Sequence, residues 1–218
     1  MRRYKKQLGV FLVTWVLFII ATQVSAHPHV WIDLRIKPVM NEQGELLGLE
    51  QAWRFDPFYS LVLIEELDKG GPEAELEERY DQLALEIVNN LNGVSFFTYG
   101  STAKAASQWK PVTQSTLLRR GQRIELRFYL PLQTPLTFAE LPFSYQVYDP
   151  TYYIEMLHAL EVGLDKSALN TACQLSLETP NPSADLIQKA LVLDKEDTPD
   201  DLQLGKYFAE QVTLSCLK

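Results

Sequence analysis

Histidine, cysteine and long apolar runs are all scarce in this chain. Its 218 residues include three histidines and two cysteines. There is no CxxC spacing, no HExxH, no GxSxG, no Walker phosphate loop and no GxGxxG. The common zinc-hydrolase, serine-hydrolase, nucleotide and dinucleotide signatures are therefore missing. Nothing resembles a nucleophile beside its base, which predicts a protein that is not an enzyme. No repeat period and no low-complexity tract is present. The stretch Asp68-Lys69-Gly70-Gly71-Pro72-Glu73 starts like a calcium loop. It lacks ligands at the third and fifth positions, and its twelfth residue is Arg79 rather than glutamate.

The longest apolar run covers residues 8–20 and is broken only by Gly9 and Thr14. That is about 13 residues, where a membrane span needs roughly 20. Arg2, Arg3, Lys5 and Lys6 precede it, and Val24-Ser25-Ala26 follows it with small residues spaced for a cut. Basic head, apolar middle and small-residue end are the layout of a secretory signal peptide. Residues 1–26 thus read as a leader, and residues 27–218 as a single exported domain with no stable membrane insertion. An uncleaved anchor is the alternative.

Cleavage changes the charge balance. The leader holds four of the 20 Lys and Arg and none of the 28 Asp and Glu. The remaining 192 residues carry 16 cations against 28 acids, a net −12 with histidine neutral. Such a surface repels nucleic acid and anionic headgroups. A chain of this length suits one full-sized core, and 46% hydrophobic content argues against disorder. In an exported chain, Cys173 and Cys216 suggest a disulfide that staples the C-terminal strand to the body. It would close a loop of about 44 residues, worth about 4 kcal/mol in the chain-entropy account. A metal–thiolate pair is the rival, without a CxxC spacing to support it.

Residues 30–39 and 46–55 read as a hairpin around the turn residues 41–44. Asp56-Pro57 reads as a helix start, followed by Phe58, Leu61, Val62 and Glu65 at helical spacing. A second helix is expected over 73–91, with Leu76, Tyr80, Leu83, Ile87 and Leu91 as its apolar stripe. Strands are expected over 95–99, 108–113, 115–119, 123–130, 143–148, 160–164, 172–177 and 208–217. In 123–130 the residues Arg123, Glu125, Arg127 and Tyr129 alternate with Ile124, Leu126, Phe128 and Leu130. Asp149-Pro150 predicts a short helix over 151–158, and another is expected over 183–193. Residues 194–203 read as an acidic linker. The whole predicts an α+β, antiparallel β-rich single domain with two or three packed helices.

Two of the three histidines lie one residue apart in His27-Pro28-His29-Val30-Trp31-Ile32-Asp33. In a strand His27 and His29 share a face, about 6.6 Å apart at Cα, a span that two ligands of one metal can bridge. Asp33 lies about 13 Å beyond His29. A cut after Ala26 places the α-amine of His27 beside its own imidazole, the donor set of a histidine brace. Such a set suits copper, and imidazole also suits zinc and nickel. The rival amine-and-amide mode is blocked because Pro28 has no N–H. The plain alternative is that HPH is a polar start to a strand. Asp56 and Asp149 each supply a carboxylate for the same site or cap a helix. His158 is either a third ligand or a structural residue. Tyr145, Tyr148, Tyr152 and Tyr153 form an aromatic cluster suited to a core or groove wall.

AHPHVWID after the leader, W-x-F-D at Trp53, Phe55 and Asp56, V-Y-D-P at 147–150 and F-A-x-x-V-T-L-x-C at 208–216 resemble domain-of-unknown-function family 1007. The resemblance spans essentially the whole exported part. Members are exported bacterial proteins, often labelled a periplasmic component of an ABC-type transport system. Their genes tend to lie near nickel/cobalt-type membrane transporters. Some carry a D-x-D-x-D-G insert where this chain has 68–73, so no calcium role is implied here. The resemblance implies periplasmic location and an association with metal transport. The expectation is an accessory protein binding a divalent transition metal (zinc, nickel, cobalt or copper) for an inner-membrane transporter or permease. Its ligands would be His27 and His29, with Asp149 and His158 as further candidates. The alternatives are a docking or assembly subunit that binds no metal, and a copper-dependent oxidase.

Overall fold

Alternation decides the first strand. In β1 (Val30–Met40) the side chains of Val30, Ile32, Leu34 and Ile36 are buried, while Trp31, Asp33, Arg35 and Lys37 take the other face. The chain then reverses at Asn41, whose side-chain oxygen accepts from the backbone N–H groups of Gln43 and Glu45. It returns as β2 (Leu46–Phe55), antiparallel to β1. The computed structural model describes residues 28–160, 162–167, 169, 171–193 and 203–217. The expected leader, His27 and most of the expected linker lie outside these.

Two sheets are built. β4 (Ser115–Arg120) and β5 (Arg123–Leu136) add to β2, and β7 (Ile154–His158) runs parallel to β1, giving the order β4-β5-β2-β1-β7. β3 (Thr98–Thr102), β6 (Phe143–Val147), β9 (Gln211–Cys216) and β8 (Cys173–Glu178) form the second, in the order β3-β6-β9-β8. One continuous apolar cluster joins them, with Ile32, Leu34, Trp53 and Phe128 from the first sheet and Tyr145, Val147, Val212 and Leu214 from the second. A buried polar relay crosses it. Trp53 Nε1 donates to Gln51 Oε1 at 2.8 Å, Gln51 Nε2 to Thr98 Oγ1 at 3.1 Å, and Thr98 Oγ1 to Phe96 O at 2.9 Å. Every link is satisfied, which a buried polar group requires.

Helices α1 (Pro57–Lys69) and α2 (Leu76–Asn92) pack against the five-stranded sheet, and α3 (Ala184–Val192) lies beside the 3₁₀ turn Leu204–Phe208. Asp56 caps α1 as the sequence predicts, accepting from Phe58 N and Tyr59 N. The buried side of α1 is Ser60, Leu63, Ile64 and Leu67. Phe58, Leu61 and Val62, which fit the helical spacing, face solvent instead.

The fold class is α+β and antiparallel-dominated, as expected, and the cysteines form the disulfide. Cys173 and Cys216 stand opposite one another across β8 and β9. The staple therefore ties the outermost strand β8 to β9, while β9 is also held by β6. The helix expected over 151–158 is not formed. Residues 149–152 make a turn instead, and Ile154–His158 becomes β7 because β1 offers it a parallel partner. Residues 108–113 are irregular, fixed by Lys110 N to Pro131 O (2.9 Å) and Trp109 Nε1 to Thr98 O (2.7 Å). The described residues of 160–164 form no named strand; they meet β1 through the bridge Leu164–Ile36 and the bond from Ile36 N to Gly163 O at 2.9 Å. Tertiary partners override local propensity in all three places.

Candidate functional site

His29 sits at the first turn of the described chain into β1. Its backbone N–H donates to Tyr153 O at 3.0 Å, and its ring lies 4.9 Å from the Tyr153 ring at 37°. The neighbouring Trp31, on the same face, is 47% exposed. Alternation puts His29 on the same side of the strand as Trp31, but it is only partly exposed, and its Nε2 is buried.

Two carboxylates bracket this strand start. Asp56 Oδ1 takes Phe58 N at 2.8 Å and Tyr59 N at 3.0 Å, and its Oδ2 takes Trp31 N at 3.3 Å. Asp149 Oδ1 takes Thr151 N and Thr151 Oγ1, and its Oδ2 takes Ile154 N at 3.1 Å. Ile154 is the register partner of Val30. Both acids are buried and both spend their oxygens on N–H and hydroxyl donors. Asp56 is a helix cap and Asp149 the tie of a turn, so the expected second helix cap is corrected to a turn cap. Gly205 is packed so closely on that turn that a side chain there would meet the Asp149 main-chain carbonyl.

His158 is elsewhere. It pairs with Leu34, five residues along β1 from His29, about 16 Å away on an ideal strand. It also faces the buried side. Its Nδ1 is 2.8 Å from Glu210 Oε2, its backbone N–H donates to the same oxygen at 2.6 Å, and its Nε2 is 3.4 Å from the Tyr145 hydroxyl. With a carboxylate as acceptor, Nδ1 carries the proton and Nε2 accepts from Tyr145. Burial, and next the charge of Glu210, push the Tyr145 hydroxyl pKa far above its ordinary value. His158 is thus kept apart from His29, while Asp149, although beside the strand start, spends its oxygens on Thr151 and Ile154. Among the described residues no group of three or more His, Cys, Asp or Glu side chains is placed to hold a metal ion.

Two other surfaces stand out. The outer side of α1 exposes Phe58 (85%), Leu61 (55%) and Val62 (53%), next to the half-exposed Tyr59 and Trp31. The outer face of the five-stranded sheet carries a lattice of charge around Glu125, whose carboxylate lies 2.6 Å from Arg127, 3.2 Å from Arg54 and 3.8 Å from Arg120. Beside it Arg123 bridges to Asp33 at 2.6 Å. The alternation of Arg123, Glu125, Arg127 and Tyr129 signals half of this lattice in the sequence. The other half comes from β1, β2 and β4, and only the register supplies it.

The chain matches the family described as "Protein of unknown function (DUF1007)" over residues 12–216. It is 29% identical over 218 residues to an uncharacterized protein of Haemophilus influenzae, across 99% of this chain and 100% of that protein. No solved structure matches it. With all but the two ends of the sequence inside the match, the chain belongs to the DUF1007 family.

Proposed function

We propose that this protein is an exported periplasmic accessory subunit that binds one divalent transition ion at the start of β1 and serves an inner-membrane metal transporter. The observation that supports this reading is the placement of His29. Its partly exposed imidazole lies beside the Tyr153 ring, two residues after His27, with Nε2 buried, so Nδ1 or a small shift of the ring would serve the ion. The described residues supply that one imidazole and no cluster of three donors. The site therefore depends on His27 and on the amine that a cut after Ala26 frees. Zinc, nickel and copper accept such nitrogen donors, and cobalt is the remaining candidate. Asp149 and His158 are not part of it, since their polar atoms are engaged within their own networks. The ligands bind as neutral imidazoles, so affinity falls as pH drops through the histidine range.

The test is to purify the exported chain, measure its N-terminal mass, and titrate it with zinc, nickel, cobalt and copper. A chain beginning at His27 that binds one ion tightly and loses it on His27→Ala/His29→Ala supports the site. Full affinity in that double variant removes it.

A second reading, a docking subunit without metal, is favoured by the outer side of α1. An exposed apolar patch of this kind marks an interaction surface more often than chance. A photo-crosslinker at Leu61, used in intact inner membranes, tests it. One discrete adduct with a permease supports docking, and no adduct counts against it.

A further inference from the structure

The outer face of the five-stranded sheet gathers cations in a chain whose net charge is −8. Glu125, 6% exposed, lies at the centre of three guanidiniums. One carboxylate offsets one of those charges; of the three guanidiniums, Arg127 also lines the concavity described next. Arg127 is fixed there through Nε at 2.7 Å and Nη2 at 2.6 Å. A guanidinium has five N–H donors, and those not used on Glu125 serve a ligand.

The register then sets a second arginine opposite. Arg35 on β1 pairs with Ala52 on β2, and Ala52 pairs with Arg127 on β5. The two arginines stand two strands apart, about 9.6 Å between backbones. Between them Ala52 contributes only a methyl group. Arg35 is held by Asp165 Oδ2 at 2.8 Å, as Lys37 is by Glu50 Oε2 at 3.0 Å. The result is a concavity of about 480 Å³, with Arg35, Lys37, Ala52, Arg127, Tyr129 and Asp165 in its lining. Its size falls within the roughly 300–1,000 Å³ of small-molecule sites.

We propose that this concavity binds a small di- or tricarboxylate, with one carboxylate on the fork of Arg35 and another on the fork of Arg127. The planar fork matches a carboxylate with two parallel hydrogen bonds. Two forks facing each other over a low floor fit two anionic groups joined by a few carbons. The ion pairs to Glu125 and Asp165 hold both forks in place, which lowers the entropy lost on binding. Glu50 and Asp165 also line the site and repel any anion, so discrimination rests on reach: inorganic phosphate is too compact to engage both forks at once. The acidic chain as a whole turns away extended polyanions. This inference is independent of the metal site at β1.

The test is calorimetric titration of the purified chain with citrate, succinate and inorganic phosphate at low salt. Citrate or succinate binds, and phosphate binds more weakly. Arg127→Met weakens the carboxylate ligand by about tenfold or more. Glu125 retains Arg54 and Arg120 in that variant, so the sheet stays folded. Ala52→Leu fills the floor without touching a charge and abolishes binding, while circular dichroism reports an unchanged fold. Absence of heat with citrate and succinate overturns the proposal. So does phosphate binding as tightly as citrate, or a carboxylate affinity that Ala52→Leu leaves intact.

Discussion

Glu210 Oε2 accepts two hydrogen bonds from His158, one from the backbone N–H at 2.6 Å and one from ring Nδ1 at 2.8 Å. The partners are 52 residues apart in sequence, and their side chains are 4% and 11% exposed. This clasp joins the end of β7, in the first sheet, to the segment that leads into β9, in the second. Glu210→Ala leaves both donors of His158 buried without an acceptor. The expected loss is about 3 kcal/mol, read from urea unfolding. A loss near zero removes the structural role of the third histidine.

Asp56 ties β1 to α1 through three backbone N–H groups. Asp56→Ala removes the cap and the tie together, for an expected cost of about 2 kcal/mol. Asp56→Asn keeps an acceptor for Phe58 N and Tyr59 N and recovers most of it. A metal ligand at this position would behave differently, with Asn failing to rescue ion binding. Thermal melts of the three proteins, with and without added zinc, separate the two roles.

Arg79 occupies the place where a calcium loop would carry its twelfth ligand. It donates instead to Leu67 O at 3.0 Å, Pro72 O at 3.0 Å and Gly71 O at 3.3 Å. An internal cation thus satisfies the carbonyls at the end of α1 and in the following turn. Arg79→Ala exposes them and costs about 1–2 kcal/mol, measured by denaturant unfolding. Added calcium does not restore the loss, because Gly70 and Pro72 offer no side-chain oxygen.

The disulfide joins residues 43 apart and locks the outermost strand of the second sheet. Cys173→Ala/Cys216→Ala lowers stability by about 4 kcal/mol on loop entropy. Hydrogen exchange of the β8 amides should rise first, ahead of β6.

Asp165 gives an acid-range prediction. Hydrogen bonds from Ser167, and then Arg35, hold its carboxyl pKa down to about 2. Its unfolded value is about 3.9. A lowered folded value stabilises above the unfolded pKa, and that contribution disappears as pH falls from about 4 towards 2. Carboxyl NMR titration should place the midpoint near 2, and Ser167→Ala should raise it.

Much of the fold is legible locally. The β1–β2 hairpin follows from alternation around Asn41, α1 from Asp56-Pro57, α3 from the pattern over 183–193, and the disulfide from an even pair of cysteines in a chain expected to be exported. Residues 151–158 differ from the expected helix for a physical reason. Asp-Pro looks the same before a helix and before a tight turn, because both need an acceptor for free N–H groups. The parallel partner that makes Ile154–His158 a strand lies more than 110 residues earlier in the chain.

What the sequence alone determined is the set of faces. Period-two patterning fixes which β1 and β5 side chains point outward, and it places His29 on the same side of the strand as Trp31 from neighbouring residues only. What the tertiary structure decided is which outward residues meet. Glu125 lies 71 positions from Arg54, and Arg127 stands across Ala52 from Arg35. Those distances are set by strand order and register, which depend on how both sheets and two helices close over one core. The charged lattice, the clasp on His158 and the distance between His29 and His158 belong to that second level.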